Sequence, residues 1–468
     1  MDRRKKLASN TLILSIGTFS SKLLVYFLMP LYTALLSTEQ YGTADLITNA
    51  ANLLIPFCCI GITHAVFRFS VDDQEDKGVI FSTGISVFLR SSAIFLILSP
   101  LLFFVSYINE YVWLLIVYVL CANIHAICAE YVRAKGRTVL FSAQGIVGTV
   151  LTILFNLVFL IGFDMGVVGY VLSVAVADAI TTLLLIICDK LWQDFSFKSV
   201  SKAKTREMLK YSLPMMPTTV IWWITNVSDR YIVTYMKGAG ANGIYSAAYK
   251  IPTLITLVAT VFIEAWQFSV MSDSKKEEDV KSFFADIFER YQSIMFMGCS
   301  LIIPFSQIAT SILLNEAYYE AWRFIPTLLV AAVFSSLTTF IGTVYTVSKK
   351  TVMSMVTALF GAVLNIVLNI LLIPSMGAQG AAIATAVSYF SVFVFRIINS
   401  KKYVSFDTHT IRLFVNTVIV TAQSVFMIME LPFNLAVQIG SCVLLFAING
   451  KTLVISVLGI IKNFFKKR

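Results

Sequence analysis

The chain has 468 residues, of which 58% are hydrophobic and 13% are charged, and its mean hydropathy is +0.82. Soluble domains are about half apolar and about a quarter charged, so the composition excludes a soluble enzyme. Disorder requires low hydrophobicity and is excluded as well. The seven cysteines and three histidines include no CxxC or HExxH spacing, so we predict no structural metal and no other cofactor.

Apolar blocks of about 20 residues, separated by short polar breaks, predict an all-α integral membrane protein with about fourteen transmembrane helices. The blocks are too long and too continuous for the strands of a transmembrane barrel. In chain order the predicted spans lie near 11–36, 43–66, 79–105, 111–132, 138–162, 167–188, 211–236, 243–271, 287–313, 324–347, 351–373, 380–398, 410–430 and 433–450.

The net charge of +10 follows the positive-inside rule. If the N-terminus is cytoplasmic, 29 of the 36 lysines and arginines fall in cytoplasmic segments, and only Lys237 and Arg323 fall in the opposite loops. We therefore expect a multi-pass protein of a bacterial cytoplasmic membrane with both termini cytoplasmic. The cations indicate topology and affinity for membrane lipids, and they do not indicate nucleic-acid binding. The opposite loops are too short for a catalytic domain, so we expect a transporter and not an enzyme.

Short runs recur at similar spacing in the two halves of the chain. MGVVG at 165–169 returns as MGAQG at 376–380, 211 residues later, and YGTA at 41–44 returns as YSAA at 245–248, 204 residues later. An even number of spans per half predicts two six-helix bundles related by a pseudo-twofold axis along the membrane normal, an arrangement typical of transporters. The predicted parts are an N-terminal bundle (1–188), a cytoplasmic linker loop (189–210), a C-terminal bundle (211–400), two extra transmembrane helices (401–450) and a basic amphipathic cytoplasmic tail (451–468).

Charged side chains within spans are the candidate binding residues. Each costs about 2.5–3.5 kcal/mol on insertion scales, so such residues usually face a cavity or a partner. Trp223, Asn226 and Arg230 share one helix face, which suits stacking on a sugar and forked binding of a phosphate. The predicted substrate-binding residues of a central cavity are Lys22, Arg90, Trp223, Asn226, Arg230 and Lys250.

Two carboxylates and two prolines complete the candidate site. Asp178 and Glu264 lie within predicted spans, and each is read as a counter-ion or as a coupling carboxylate that exchanges protons. Pro30 and Pro252 lie in the spans that carry Lys22 and Lys250. Each removes a backbone hydrogen bond, so each is predicted to form a gate or a fixed kink. Interhelical ion pairs and snorkelling side chains are the alternative reading of these charges.

Three motifs resemble bacterial polysaccharide flippases of the multidrug/oligosaccharidyl-lipid/polysaccharide exporter superfamily. They are PLYTALLSTEQYG at 30–42, AVFRF at 65–69, and SDRY at 228–231 followed by GIYSAAYKIP at 243–252. The resemblance extends over residues 10 to about 450. It implies two six-helix bundles around a cation-lined cavity, and alternating access that carries an undecaprenyl-pyrophosphate-linked oligosaccharide across the membrane.

The resemblance also assigns roles to residues and partners. Lys22, Arg230 and Lys250 would meet the pyrophosphate and acidic sugars, whereas Arg90 is proposed from its depth alone and matches no family motif. The drive would come from an H⁺ or Na⁺ gradient or from the membrane potential, and polysaccharide biosynthesis enzymes would be partners. The two extra helices resemble the lipid II and spore-wall branches, where such helices border a groove for the lipid tail.

Other functions fit parts of the sequence. A multidrug/cation antiporter of the sister family would need an acid-dominated cavity, whereas this chain places at least four basic residues within its spans. A lipid II or spore-wall type flippase remains an alternative because of the additional helices. A membrane enzyme acting on the same lipid would need a long external loop with carboxylates or a metal site.

Overall fold

The structure is a computed structural model that describes residues 28–72, 75–272, 277–348 and 350–465, without the side chains of 218, 264–265, 267–272, 277–280, 351 and 455–465. Helices make up the regular structure of this described part, and no strand occurs in it. The chain divides into two compact units, Met1–Val227 and Ser228–Arg468.

Ten described helices are long and apolar enough to cross a membrane, and the number rises to twelve if each of two bent helix pairs is one span. The prediction of an all-helical, multi-pass membrane protein is therefore confirmed. Twelve of the fourteen predicted spans coincide with these candidates. Most of the first predicted span, with Lys22, lies outside the described residues, and the seventh is a helix that carries Asp229 and Arg230 and is not among the twelve.

Unit 1 begins, within the described residues, at the end of the first predicted span. The second span is a pair of helices bent by 58°, and the fifth ends in a π-helical turn. The helices are α1 (Met29–Leu35), α2 (Thr38–Cys58), α3 (Ile62–Ser70), α4 (Lys77–Leu98), α5 (Val112–Ala134), α6 (Thr138–Asn156), a π-helix (Leu157–Gly162), α7 (Gly166–Cys188), α8 (Leu191–Asp194), α9 (Lys202–Ser212) and α10 (Met216–Lys237), with short 3₁₀ turns at Ser99–Phe104, Asn109–Tyr111, Phe197–Ser199 and Leu213–Met215.

Local sequence explains where these helices start. Ser37 and Gln40 form a capping box at the start of α2, in which each side chain accepts the other residue's backbone N–H. Asp76 accepts the backbone N–H groups of Gly78 and Val79 at the start of α4. Pro30 lies in the first turn of α1, a position that proline tolerates because no intrahelical N–H is needed there.

The division between the units falls inside α10, between Val227 and Ser228. The predicted division lay in the 189–210 loop, which contains α8 and most of α9 and belongs to unit 1. The first half of α10 belongs to unit 1 and packs on α2, where the Trp223 indole donates to the Asn49 carbonyl at 2.7 Å. A division into six spans per half stays a prediction.

Unit 2 holds the remaining helices. Its first predicted span is also a bent pair, with a 47° bend. The helices are α11 (Ala239–Tyr249), α12 (Thr253–Ser272), α13 (Glu277–Ile302), α14 (Ser306–Leu313), α15 (Ile325–Val347), α16 (Thr351–Met376), α17 (Ala378–Ser400), α18 (Thr410–Ile428) and α19 (Asn434–Phe465), with 3₁₀ turns at Ile303–Phe305 and Glu316–Arg323.

Aromatic side chains form the core of unit 2. The Phe340 ring on α15 stacks on Trp266 of α12, with centroids 5.2 Å apart, and on Tyr291 of α13 at 5.3 Å. Stacked aromatic pairs add about 0.5–1.5 kcal/mol beyond their buried area. The Trp266 indole also donates to the Thr343 hydroxyl at 3.2 Å, so this polar group is satisfied within the core.

The two extra C-terminal helices are fastened to α13 by a buried polar seam. Asn416 of α18 and Asn449 of α19 exchange amide hydrogen bonds of 3.2 and 3.0 Å, and Ser293 of α13 donates to Asn449. Gln423 donates to the Ser300 carbonyl at 3.0 Å. Helices in lipid associate through such hydrogen bonds, so the seam accounts for the polar residues of these two spans. The predicted tail from 451 continues α19 without a break as far as Phe465.

The internal repeat has a structural counterpart in each unit. Gly166 and Gly377 occupy equivalent positions in MGVVG and MGAQG, and both have a positive φ, +52° and +58°. Gly166 is the first residue of α7 and Gly377 directly precedes α17, and each of these helices has 23 residues. A positive φ strains residues that carry a Cβ, so glycine suits both turns.

Candidate functional site

Among the carboxylates that the structure describes within predicted spans, Asp229 on α10 is the most enclosed, with 1% of its surface exposed. The Tyr245 hydroxyl donates to its Oδ2 at 2.7 Å, the Tyr249 hydroxyl at 3.0 Å and the Thr385 hydroxyl at 3.3 Å. Two tyrosines four residues apart lie on one face of α11, which is how both reach the same oxygen. An ion buried in this way survives only when several hydrogen bonds compensate for lost water.

Amides from α16 extend this cluster. Asn365 donates to the Thr385 hydroxyl at 3.3 Å and accepts from the Ser228 hydroxyl at 3.2 Å, and Asn369 donates to the Asn365 side chain at 2.9 Å. We call Asp229, Tyr245, Tyr249, Asn365 and Thr385 the Asp229 centre. A carboxylate, three hydroxyls and the Asn365 amide group converge there from α10, α11, α16 and α17.

The centre lies beside two of the predicted substrate-binding cations. The Arg230 guanidinium lies over the Tyr249 ring, 4.9 Å from its centroid, while the hydroxyl of that ring donates to Asp229. Lys250 follows Tyr249 directly, at the break between α11 and α12. One tyrosine therefore contacts both the buried carboxylate and Arg230.

Pro252 lies in the same break, where α11 and α12 are bent by 47°. The Lys250 carbonyl accepts from the Thr253 hydroxyl, a local bond that closes the turn. The structure thus has a bend at the predicted proline, and a gating role stays a proposal. Glu264 belongs to α12, and its side chain is not among those described.

The other predicted binding residues lie in unit 1. Trp223 is held by its bond to Asn49, and the Asn226 amide donates to the Trp222 carbonyl at 2.6 Å. Arg90 is on α4 with its side chain exposed. These placements leave their binding roles as predictions.

Asp178 has a titratable partner in unit 1. His125 of α5 lies with its Nδ1 3.6 Å from the carboxylate, and its Nε2 lies 2.8 Å from the Gln144 amide oxygen on α6. Both the aspartate and the histidine are 21% exposed. An imidazole between a carboxylate and an amide can pass a proton, so this pair is a second candidate for coupling.

Sequence reasoning missed three features of these sites. The charges within spans and their helical spacing did not single out Asp229 or His125 as binding or coupling residues. Arg396 was not among the candidate residues either, yet it is 2% exposed and donates to the Thr357 hydroxyl and to the Thr338 and Ser354 carbonyls. The tyrosine spacing in GIYSAAYKIP and the asparagine pair on α16 were available in the sequence as indications of the Asp229 centre.

Comparison with known proteins identifies the family. The family described as "Polysaccharide biosynthesis protein" matches residues 7–274, more than half of the chain. The chain belongs to this family. The resemblance found in its motifs is therefore confirmed.

Curated and solved proteins agree with that assignment. An uncharacterized membrane protein of Methanocaldococcus jannaschii is 24% identical over 85% of this chain and 99% of its own length. The lipid II flippase MurJ in an inward closed conformation superposes with a TM-score of 0.70 at 16% identity, over 96% of this chain and 100% of that one. An inward-facing multidrug resistance MATE family transporter of the MOP superfamily gives 0.65 at 14% identity, over 85% and 98%. The chain therefore shares its fold with this flippase and this transporter.

Proposed function

We propose that this protein is a flippase that carries an undecaprenyl-pyrophosphate-linked oligosaccharide across the bacterial cytoplasmic membrane by alternating access. The observation that carries the proposal is the family match to polysaccharide biosynthesis proteins in a chain with the fold of the lipid II flippase. The 29 cations that the positive-inside rule assigns to cytoplasmic segments support the membrane orientation.

The headgroup is bound by cations within the membrane. A pyrophosphate cannot enter hydrocarbon without compensation, and guanidinium and ammonium groups supply it. Arg230 and Lys250 are the described residues that best fit this role. The Arg230 guanidinium lies over the Tyr249 ring, and Lys250 follows Tyr249 directly in the chain, so both lie beside the Asp229 centre. Lys22, Arg90, Trp223 and Asn226 are proposed to complete the site, with the indole stacking on sugar rings.

The Asp229 centre is proposed to couple transport to a cation. Hard cations prefer oxygen ligands, and the centre offers a carboxylate and three hydroxyls. Na⁺ would bind the carboxylate while the hydroxyls turn their protons away from it, so that their oxygens become ligands. H⁺ would instead neutralise the carboxylate itself. Asp178 and Glu264 stay secondary candidates for coupling.

Tyr249 provides the mechanical link in this mechanism. When a cation takes over the Asp229 oxygens, the Tyr249 hydroxyl loses its acceptor, and the ring that supports Arg230 is free to turn. The ion and the headgroup thereby act on one side chain at the α11–α12 break. A two-state element biased by both ligands is what coupling requires.

Reconstitution tests the proposed function. Proteoliposomes would hold a fluorescent undecaprenyl-pyrophosphate-linked oligosaccharide, and a membrane-impermeant quencher would report its movement between leaflets. We expect Arg230→Ala and Lys250→Ala each to slow movement at least about tenfold, because each removes a charge-assisted bond. Arg230→Lys should retain part of the rate.

The matched control is Lys202→Ala, which removes an exposed cation from α9. It should leave the rate unchanged. Wild-type rates in both the Arg230 and Lys250 variants at equal protein level would remove the binding assignment. Absence of movement by the wild type, with the lipid present, would contradict the flippase itself.

A drug/cation antiporter is the second candidate, favoured by the structural likeness to MATE transporters. A buried carboxylate such as Asp229 could then bind an organic cation. Efflux of a cationic dye from loaded proteoliposomes distinguishes the two functions. Dye movement that Asp229→Asn abolishes, without movement of the lipid-linked oligosaccharide, would favour the antiporter.

A further inference from the structure

One end of unit 2 has an open cavity of about 680 Å³, bordered by four helix junctions. These are the end of α10, the 3₁₀ turn before α15, the junction of α16 with α17, and the end of α18. All four junctions lie on the side that the sequence predicts to be extracytoplasmic. The cavity is therefore expected at the level of the outer-leaflet headgroups.

The cavity collects opposite charges. Lys237 and Arg323 line it, and they are the two cations that the positive-inside pattern places outside the cytoplasm. In the described part of the chain neither of them forms an ion pair: Lys237 donates to the Pro374 carbonyl at 2.9 Å, and Arg323 lies over the Trp322 ring. Glu320 and Glu430 line the same cavity, so its charged lining balances.

Glu430 is held in an uncommon conformation. Its φ is +47°, a region that residues with a Cβ seldom adopt. The Gln307 amide donates to its carboxylate at 3.2 Å. A carboxylate fixed in this way at the cavity edge is positioned to receive a cation.

An apolar groove continues from this charged mouth. A second cavity of about 490 Å³ lies along α15, α17 and α18, and its lining is almost entirely apolar. The two cavities adjoin, because four residues border both: Met376, Gln379, Ile428 and Met429. The side-by-side arrangement of a charged mouth and an apolar groove matches an amphipathic molecule.

We propose that this composite site binds a phospholipid with a zwitterionic primary-amine headgroup, of the phosphatidylethanolamine class. Lys237 and Arg323 take the phosphate, Glu320 and Glu430 take the ammonium, and one acyl chain lies in the groove between α15, α17 and α18. The balanced charge selects this lipid, because two carboxylates would repel a purely anionic headgroup. A quaternary amine has no N–H to donate to them. This is a resident lipid and not the transported molecule.

Direct binding to the full-length protein tests the site. Native mass spectrometry in detergent would compare short-chain phosphatidylethanolamine, phosphatidylcholine and phosphatidylglycerol, together with free phosphoethanolamine. We expect phosphatidylethanolamine to bind about tenfold more tightly than the other two lipids, and the free headgroup not to bind. Equal binding of phosphatidylglycerol would overturn the zwitterion assignment. Equal binding of free phosphoethanolamine would overturn the role of the groove.

Two variants separate the mouth from the groove. Lys237→Ala with Arg323→Ala should weaken phosphatidylethanolamine binding about tenfold. Ala386→Trp fills the groove without changing a charge and should weaken it as well. The exchange Lys237→Arg with Arg323→Lys keeps both charges and should retain binding, as should Lys202→Ala. Unchanged binding in either weakening variant, with an unchanged unfolding temperature, would overturn the proposal. Transport is not measured, so the result is independent of the proposed flippase activity.

Discussion

The two units surround their membrane carboxylates in different ways. In unit 1, Asp178 faces an imidazole 3.6 Å away, and both groups are 21% exposed. In unit 2, Asp229 is 1% exposed and takes three hydroxyl hydrogen bonds. The first arrangement suits proton exchange with water. The second suits a dehydrated ion held by oxygen.

At the offsets of the predicted repeat, the membrane carboxylates of unit 1 have no acidic counterpart in unit 2. The offset of 211 residues pairs Asp178 with Tyr389, and the offset of 204 pairs Asp45 with Tyr249. The two carboxylates Asp178 and Asp229 can therefore be tested separately.

Neutralising Asp229 and Asp178 in separate variants tests the difference between the two units. The loss of transport rate in Asp229→Asn is the largest effect that we expect. Asp229→Asn keeps the shape and removes the charge, so we expect ion-dependent flipping to fall about 100-fold, as for loss of a metal-site group. Asp178→Asn should lower it by less than about threefold, because that site is partly solvated. Initial rates across Na⁺ concentration and pH measure both. A full rate in Asp229→Asn with a loss in Asp178→Asn would move coupling to unit 1.

Gly169 of α7 and Gly380 of α17, which the 211-residue offset pairs, allow helix packing in the two units to be compared. A Cβ at Gly380 would lie 2.6 Å from the Leu372 backbone oxygen, whereas one at Gly169 would meet only side chains, at 3.0 Å or more. Backbone cannot yield as side chains can, so Gly380→Ala should cost about 2 kcal/mol and Gly169→Ala less than about 1 kcal/mol. Thermal unfolding in detergent measures the difference.

The control for these glycines is Gly298→Ala in α13, where a Cβ would meet nothing within 4 Å. It should be neutral or stabilising, since alanine favours a helix. Equal losses at Gly169 and Gly380 would show that the α16–α17 approach is no tighter than its unit 1 counterpart.

Tyrosine variants test whether one side chain links ion and headgroup. Tyr245→Phe and Tyr249→Phe each remove one hydroxyl from Asp229, and each should weaken the ion dependence about fivefold, or roughly 1 kcal/mol. Tyr249→Leu also removes the ring under Arg230, worth about 0.5–2 kcal/mol. It alone should weaken binding of the lipid-linked oligosaccharide. The matched variant Tyr245→Leu should change ion dependence only, and a loss of lipid binding there would contradict a specific link through Tyr249.

Hydropathy predicted the helices well because lipid imposes one solution on the backbone. A buried polar backbone must bond internally, so apolar blocks of span length become helices, and twelve predicted spans coincide with candidate spans. Residue patterns did not reveal the π-helical turn at Leu157–Gly162 or the continuation of α19 to Phe465. Neither feature follows from the spacing of apolar residues along the chain.

The site was harder to predict because it is made of contacts between distant helices. Asp229 and Thr385 lie 156 residues apart, and the sequence offers no spacing rule that joins them. Helical periodicity places Arg230 on the same face of α10 as Trp223 and Asn226. It does not show that the Tyr249 ring of α11 lies beneath the Arg230 guanidinium. Arg396 is another example, since no pattern near the end of the predicted span 380–398 shows that its guanidinium is enclosed by α15, α16 and α17.

The smallest effect is expected from a surface ion pair of unit 1, in contrast to the buried Asp229 centre of unit 2. The Lys204 ammonium donates to Glu207 and Glu75 at 2.7 Å, and these hydrogen bonds raise the pKa of Lys204 above its ordinary value of 10.5. A raised lysine pKa gives stability that is complete below 10.5 and is lost as pH rises through the folded-state value. Lys204→Met should therefore cost less than about 1 kcal/mol at neutral pH, because exposed pairs contribute little. Thermal unfolding at neutral and strongly alkaline pH should show this small difference vanish as the ammonium deprotonates, while Lys202→Met shows none at either pH. A difference that grew with pH would mean that the lysine stem, and not its charge, stabilises α9.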